Sequence, residues 1–264
     1  MPFSVTKYPQ GTFSWADVAS RDVAATKTFM TSLLGWTAED MPTGQPGMDY
    51  TMFSLQGKYV AGASAMAPGM EQMPSMWSNF VSVDDLEAKI QQAQSAGATI
   101  TLPAMDVLDS GRMAGIQDPT GARLFLWQPG KHIGAGLVNT VGAMCWNELY
   151  TSDVAVAMDF YTTLFGWTFA PSVESSDYMV ISNNGRPNGG IMQITEEMAP
   201  MPPMWMVYFT IENAAATIEK VAQLGGKVHM TKEVPQGTIV MIEDPAGASF
   251  IGIDLSVPAQ EWIE

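Results

Sequence analysis

Cysteine is almost missing from this sequence: Cys145 stands alone in 264 residues. No intramolecular disulfide is open to it, so nothing calls for an oxidising compartment. Histidine is nearly as scarce, with His132 and His229 only. Positive charge is short as well. Lys and Arg number 12 against 27 Asp and Glu, and the formal net charge of -15 repels phosphate backbones and anionic membrane surfaces. Nucleic acid and membrane are therefore poor partners. The partners expected are a small-molecule ligand and at most a second copy of the chain, as a monomer or homodimer. Nowhere do about 18 apolar residues run uninterrupted, and the opening MPFSVTKYPQGTF has no apolar stretch of signal-peptide length. The expectation is a soluble, cytoplasmic chain.

What the sequence does have is hydrophobic residues, 47% of the total, enough for a substantial core in one large or two ordinary domains. Methionine is abundant at 21 residues, and its soft side chain suits irregular cores and adaptable pockets. The chain also repeats itself. TFMTSLLGWT at 28–37 returns as DFYTTLFGWT at 159–168, and setting Trp15 on Trp146 brings Asp22 onto Asp153 and Trp36 onto Trp167. With a small drift in offset, MPSMWSNFVSVDD (73–85) meets MPPMWMVYFTIEN (201–213), and IQDPTGARLF (116–125) meets IEDPAGASFI (242–251). Two homologous halves explain this economically. They are placed at residues 1–130 and 141–264, joined by a linker at 131–140 rich in glycine and polar residues.

A finer period runs inside each half. Val154, Ala157, Met158, Tyr161, Leu164 and Phe165 recur at helical spacing between Asp153, a plausible N-cap, and Gly166, a stop. Leu86, Ile90 and Ala93 follow Asp84 before Gly97, and Ile218, Val221 and Ala222 follow Glu212 before Gly225. An apolar or alternating run precedes each helix, as in TFSWADV and MWMVYFTI, and short strand-like runs such as YTMFSLQG and YMVISNNG come after it. The predicted order is strand, helix, several strands, four times over.

Modules of this order, with FYTTLFGW closing a first helix and DPTGA or DPAGA before a last strand, resemble the glyoxalase/bleomycin resistance/extradiol dioxygenase superfamily, the vicinal oxygen chelate proteins. The resemblance covers nearly the whole chain. WNELYTSD with FYTTLFGWT, and PAMDV with GRMAGIQDPTGA, are further similar to a two-domain glyoxalase-like group related to hydroxylases and lactoylglutathione lyases. This implies an α+β fold: four βαβββ modules forming two glyoxalase-like domains, each a curved mixed sheet around a cleft. It also implies a divalent metal held in the cleft by His, Glu or Gln, where the ion polarises a substrate oxygen.

Carried onto this sequence, the metal seats hold poor donors. The first-strand seats fall on Trp15 and Trp146, those of the following modules on Ser78 and Met206, and the last-strand seats on Phe125 and Ile251. The remaining seat falls near Ala63 to Ala65 in one half and on Met192 or Gln193 in the other, and Gln193 alone is insufficient. His132 in the linker and His229 in a strand-like run lie away from these seats and read as surface or structural residues. No cofactor is predicted.

Residues two apart on a strand share a face, so Asp17 and Glu148, each two beyond its Trp, face the two clefts. A carboxyl among aromatic and Met side chains is a candidate general base or anchor; the alternative is a hydrogen-bonded structural acid. The same alternation places Phe13 with Trp15, and Arg123 and Trp127 with Phe125. The candidate ligand-binding residues are Trp15, Phe80, Arg123, Phe125 and Trp127 in the first cleft, and Trp146, Tyr150, Gln193, Met206 and Tyr208 in the second. Each aromatic serves equally well as core, Arg123 as a partner of Asp17, and Arg112 as a loop cation. Cys145, next to Trp146, is expected to point away from the cleft and has no basic neighbour to activate it. The function expected is metal-independent binding, with or without conversion, of a hydrophobic or aromatic small molecule. The alternative is a lyase, isomerase or hydroxylase-type tailoring enzyme using a cleft carboxylate or a degenerate metal site on Gln193 and Glu148.

Overall fold

The computed structural model describes residues 3–45, 48–67, 69–70, 72–172 and 177–256. The first half runs β1 (Phe3–Ser4), β2 (Phe13–Ser20), α1 (Val23–Leu34), β3 (Thr37–Gln45), β4 (Met48–Leu55), β5 (Lys58–Ala65), β6 (Met76–Ser82), α2 (Leu86–Ser95), β7 (Thr99–Val107), β8 (Gly111–Gln117) and β9 (Arg123–Pro129). The linker contributes β10 (Leu137–Val138), which pairs with β1. The second half repeats the order: β11 (Met144–Thr151), α3 (Val154–Phe165), β12 (Thr168–Pro171), β13 (Tyr178–Asn183), β14 (Arg186–Gln193), a turn of 3-10 helix (Glu196–Met198), β15 (Met204–Ile211), α4 (Ala214–Gln223), β16 (Lys227–Val234), β17 (Gly237–Glu243) and β18 (Ser249–Leu255).

The helix boundaries follow from local chemistry. Asp22 and Asp153 accept the third backbone N–H beyond them at the starts of α1 and α3, and Gly35 and Gly166 close both helices in the left-handed region at φ 72°. In α2 and α4 the caps are Asp85 and Asn213, one residue later than Asp84 and Glu212, because theirs are the side chains that reach Ala88 N and Ala216 N.

Each half makes one eight-stranded sheet, in the orders β3-β4-β5-β2-β6-β9-β8-β7 and β12-β13-β14-β11-β15-β18-β17-β16. The two modules of a half meet at antiparallel central pairs, β2 with β6 and β11 with β15, and on either side of each pair the ladder is parallel. Both sheets curl, leaving a concave face lined by its own cluster of side chains. Among the described residues no helix is long and apolar enough to cross a membrane.

The helix-bearing faces join the halves crosswise. Phe29, Met30 and Trp36 of the first module pack with Phe209, Val221 and Phe250 of the fourth, whereas Leu86, Ile116 and Leu124 of the second pack with Tyr161, Leu164 and Trp167 of the third. The repeated Gly-Trp is a staple in this seam: Trp36 Nε1 donates to Gly142 O at 2.6 Å, and Trp167 Nε1 to Gly11 O at 2.8 Å, each reaching into the opposite half. Asp118 of DPTGA accepts from the Tyr161 hydroxyl at 2.8 Å, and that hydroxyl accepts from Trp205 Nε1 at 2.8 Å. Both repeated phrases are therefore seam chemistry, and with so many aromatic side chains buried between them the halves stabilise each other.

Candidate functional site in the concave clefts

One three-residue device is built twice. On β2, Trp15 Nε1 donates to the Tyr50 hydroxyl at 3.0 Å, and that hydroxyl donates to Asp17 Oδ2 at 3.1 Å. On β11, Trp146 Nε1 donates to the Tyr178 hydroxyl at 2.8 Å, and Tyr178 lies close enough to Glu148 for each to shift the other's titration. The bed for each tyrosine is a glycine on the neighbouring parallel strand, Gly62 opposite Asp17 and Gly190 opposite Glu148. A Cβ at either glycine would collide with the tyrosine hydroxyl. The tyrosines and their glycines escaped the sequence reading, although the signal was present: YTMFSLQG and YMVISNNG both open on the tyrosine in question.

The register that presents these groups depends on a bulge. Phe13 pairs with Val81 but Trp15 with Phe80, so Ser14 is an extra residue in β2; Met144, Cys145 and Trp146 do the same against Phe209 and Tyr208. This corrects one expectation. Phe13 does not join Trp15, because the bulge turns it into the seam against Trp167 and Trp205, at ring distances of 5.5 and 4.9 Å. At the second bulge the Cys145 thiol donates to Tyr208 O at 3.6 Å, and burial pushes it up to about 12, which leaves it an inert thiol.

The N-terminal cleft holds Trp15, Phe80, Phe125 and Trp127, with Trp15, Phe80 and Phe125 in one row across three strands. Phe80 and Phe125 stack at 4.9 Å. Asp17 faces the same cavity, and burial raises its carboxyl to about 6 against the opposing pull of hydrogen bonds from Tyr50 and Ser78. Arg123 stands exposed at the start of β9, and Asp17 is held by these two hydroxyls instead. His132 differs from its expected remote position. Its ring lies edge-on to Trp15 at 4.6 Å and to Trp127 at 5.8 Å, while its carbonyl accepts Trp127 Nε1. Burial depresses its imidazole to about 4. Ala135 follows it into the same wall, held through its N–H to Ser14 O and its carbonyl to the Tyr8 hydroxyl. The linker thus fills part of this cleft with its own side chains.

The C-terminal cleft has Trp146, Tyr150, Met206 and Tyr208 together, with Met192, Met204, Ile251 and Ile253 completing an apolar wall. Glu148 sits at its floor, 4% exposed. Burial raises its carboxyl, and the neighbouring hydroxyls of Tyr150, Tyr178 and Tyr208, with the charge of Lys232, oppose the rise. Its Oε1 has no hydrogen-bond partner among the described residues. Gln193 takes another course: it is one residue past Met192 on β14, so Met192 fills the cleft position while the Gln193 amide donates to Ser152 O at 2.7 Å. Arg112 pairs with Glu87 and Asp106 at 2.8 and 2.9 Å, and His229 with Glu243 at 2.8 Å, all outside both clefts.

A divalent ion of the kind family enzymes bind needs three or more oxygen or nitrogen donors aimed at one point. Among the described residues each cleft offers a single carboxylate, joined in the N-terminal one by the imidazole of His132, and no three His, Cys, Asp or Glu side chains converge. The donor set does not fit that metal.

The chain belongs to the glyoxalase/bleomycin resistance protein/dioxygenase superfamily, whose family model matches residues 12–126 and again 138–250. Within it, CFP32 of Mycobacterium tuberculosis, a glyoxylase by name, is 39% identical over 251 residues, covering 93% of this chain and 95% of that protein. The anthracycline biosynthesis protein DnrV of Streptomyces peucetius is 32% identical, covering 95% and 96%. Among solved structures the 2,3-dioxygenase LapB of Pseudomonas sp. KL28 shares the fold with a TM-score of 0.64, at 14% identity and 92% coverage of both chains.

Proposed function

We propose that this protein binds a flat, largely apolar small molecule in its C-terminal cleft without the help of a divalent metal. The observation that carries the reading is the composition of that cleft: one buried carboxyl on a wall of Met, Ile, Trp and Tyr side chains, with no second strong metal donor beside it among the described residues. Methionine side chains repack around ligands of irregular outline, and tyrosine offers a flat surface with a polar edge. The N-terminal cleft is the poorer host, because His132 and Ala135 already lie in its wall. A relative named for anthracycline biosynthesis agrees with a polycyclic aromatic ligand, and the single cysteine with a cytoplasmic setting.

Thermal unfolding with a panel of polycyclic aromatic compounds tests this. A ligand-dependent rise in Tm that is unchanged by chelator is expected. Loss of the rise on adding chelator, or a stoichiometric ion in protein purified without added metal, overturns the metal-independent part.

One observation favours a catalytic second reading. Burial raises the Glu148 carboxyl, as suits a general base working on a bound ligand. In that reading Glu148→Gln abolishes turnover while ligand binding persists.

A further inference from the structure

We propose that the C-terminal cleft selects its ligand by an aromatic hydroxyl group seated on Glu148 Oε1. This inference rests on the reading of that cleft as the ligand site. Its starting point is an imbalance in the carboxyl group. Tyr150, Tyr178 and Tyr208 surround the Glu148 carboxyl, yet Oε1 is buried with no hydrogen-bond partner among the described residues. A buried carboxyl oxygen left without a partner is costly, and a ligand that supplies one recovers that cost on binding. The N-terminal carboxyl shows no such imbalance: Asp17 is one methylene shorter and takes the Tyr50 hydroxyl, and among the described residues neither of its oxygens is both buried and unpartnered, the buried unpartnered atom of that cleft being Nε2 of the linker's His132.

The chemistry around Oε1 narrows the class of group that fits. Burial favours the protonated carboxyl while the tyrosines and Lys232 favour the anion. A hydroxyl pairs with Oε1 in either state, donating to the anion or accepting from the acid. A ketone pairs only with the acid, and an ammonium ion, which can only donate, is held strongly only by the anion. Lys232 also weighs against a cation. It is register partner to Ile239 of the cleft wall, which places it on the concave face with its charge felt at Glu148. Around this one polar point the wall is flat and apolar, with Met192, Met206, Tyr208 and Ile251. An aromatic alcohol satisfies both requirements at once.

The full chain titrated calorimetrically with 2-naphthol and with 2-methoxynaphthalene provides the test. The two differ in whether the oxygen can donate and by one methyl group, and the Glu148→Met variant separates the two effects. Naphthol is expected to bind at least about tenfold more tightly, the order of one hydrogen bond to a buried carboxyl oxygen. Glu148→Met is expected to bring the ratio to about one while methoxynaphthalene still binds. Saturable binding of both compounds to the natural chain with a ratio below about three overturns hydroxyl recognition and leaves the cleft as a ligand site. Saturable binding of neither overturns the cleft reading as well. A naphthol preference that survives Glu148→Met places the recognition elsewhere and overturns the proposal. Should that variant fail to unfold cooperatively, the ratio measured on the natural chain decides alone.

Discussion

The two concave clefts share a frame and differ in what fills it. Both have an indole donating to a tyrosine hydroxyl that leans over a strand glycine toward a carboxyl group. In the N-terminal cleft the carboxyl is Asp17, the row beside Trp15 is Phe80 and Phe125, and the linker adds His132. In the C-terminal cleft the carboxyl is the longer Glu148, the matching row is Tyr208 and Ile251, and methionines take the remaining wall. A duplicated scaffold has thus kept the interactions that set strand register in both copies. The groups that meet a ligand have diverged, and among the described residues the buried atom without a partner is a carboxyl oxygen of Glu148 in one cleft and Nε2 of the linker's His132 in the other.

The largest effects come from attacking the shared frame. A Cβ at Gly62 or Gly190 must push a rigid tyrosine ring off its strand, breaking the chain from indole to carboxyl. Gly62→Ala and Gly190→Ala are each expected to destabilise by about 2–4 kcal/mol, measured by denaturant unfolding. Ligand binding separates them: Gly190→Ala loses it and Gly62→Ala keeps it. Equal losses of binding in both variants would show that the two clefts are functionally alike and break the comparison.

The sequence disclosed the scaffold more fully than the site, for physical reasons. Helix caps, the αL glycines and the alternation of strands are local, so Asp153, Gly166 and the face shared by Trp146 and Glu148 were readable without coordinates. What depended on one inserted residue was not: the bulges at Ser14 and Cys145 reverse the face of Phe13 and Met144, and nothing in the alternation announces them. His132 was lost for another reason. Its site is created by the linker returning to Ser14 and Trp15, a contact distant in sequence that strand periodicity does not report. Gln193 shows the cost of a loop whose length shifts alignment by a single position, since the residue before it, Met192, holds the cleft face.

A smaller effect sharpens the electrostatic side of the comparison. Asp17 is raised to about 6 by burial, so the folded state tolerates its proton better than the unfolded chain does. Its favourable contribution is complete below about pH 4 and is lost as pH rises through about 6. Asp17→Asn removes that loss. Its stability relative to the natural chain is expected to improve between pH 4 and pH 6 by about 1–3 kcal/mol and to level off above. His132 runs the other way. Its imidazole is held down to about 4, so its contribution is present above about pH 6.5 and fades as pH falls. His132→Gln is therefore expected to gain on the natural chain as pH falls from 6.5 to 4. Chemical unfolding across this range checks both, and a constant difference for Asp17→Asn would mean that the carboxyl is hydrated in the folded state.

The smallest effects belong to the helix caps, which the two halves also share but which lie outside both clefts. Asp22 and Asp153 cap α1 and α3 with the same bond, to Ala25 N at 2.9 Å and to Val156 N at 3.0 Å, and both helices end on glycines of the same φ. Neither cap approaches a cleft carboxyl, since each lies past the end of its strand at the seam side, where the helices pack. Asp22→Ala and Asp153→Ala are each expected to cost about 1 kcal/mol, the usual worth of an N-cap, with naphthol affinity unchanged in both. Because the halves are packed crosswise, the two losses should appear in a single cooperative transition and not in the melting of one half alone. A biphasic transition in either variant would mean that the seam is weaker than its aromatic packing implies. The two clefts would then sit on scaffolds that open independently, and a ligand bound to the C-terminal cleft would protect only its own half.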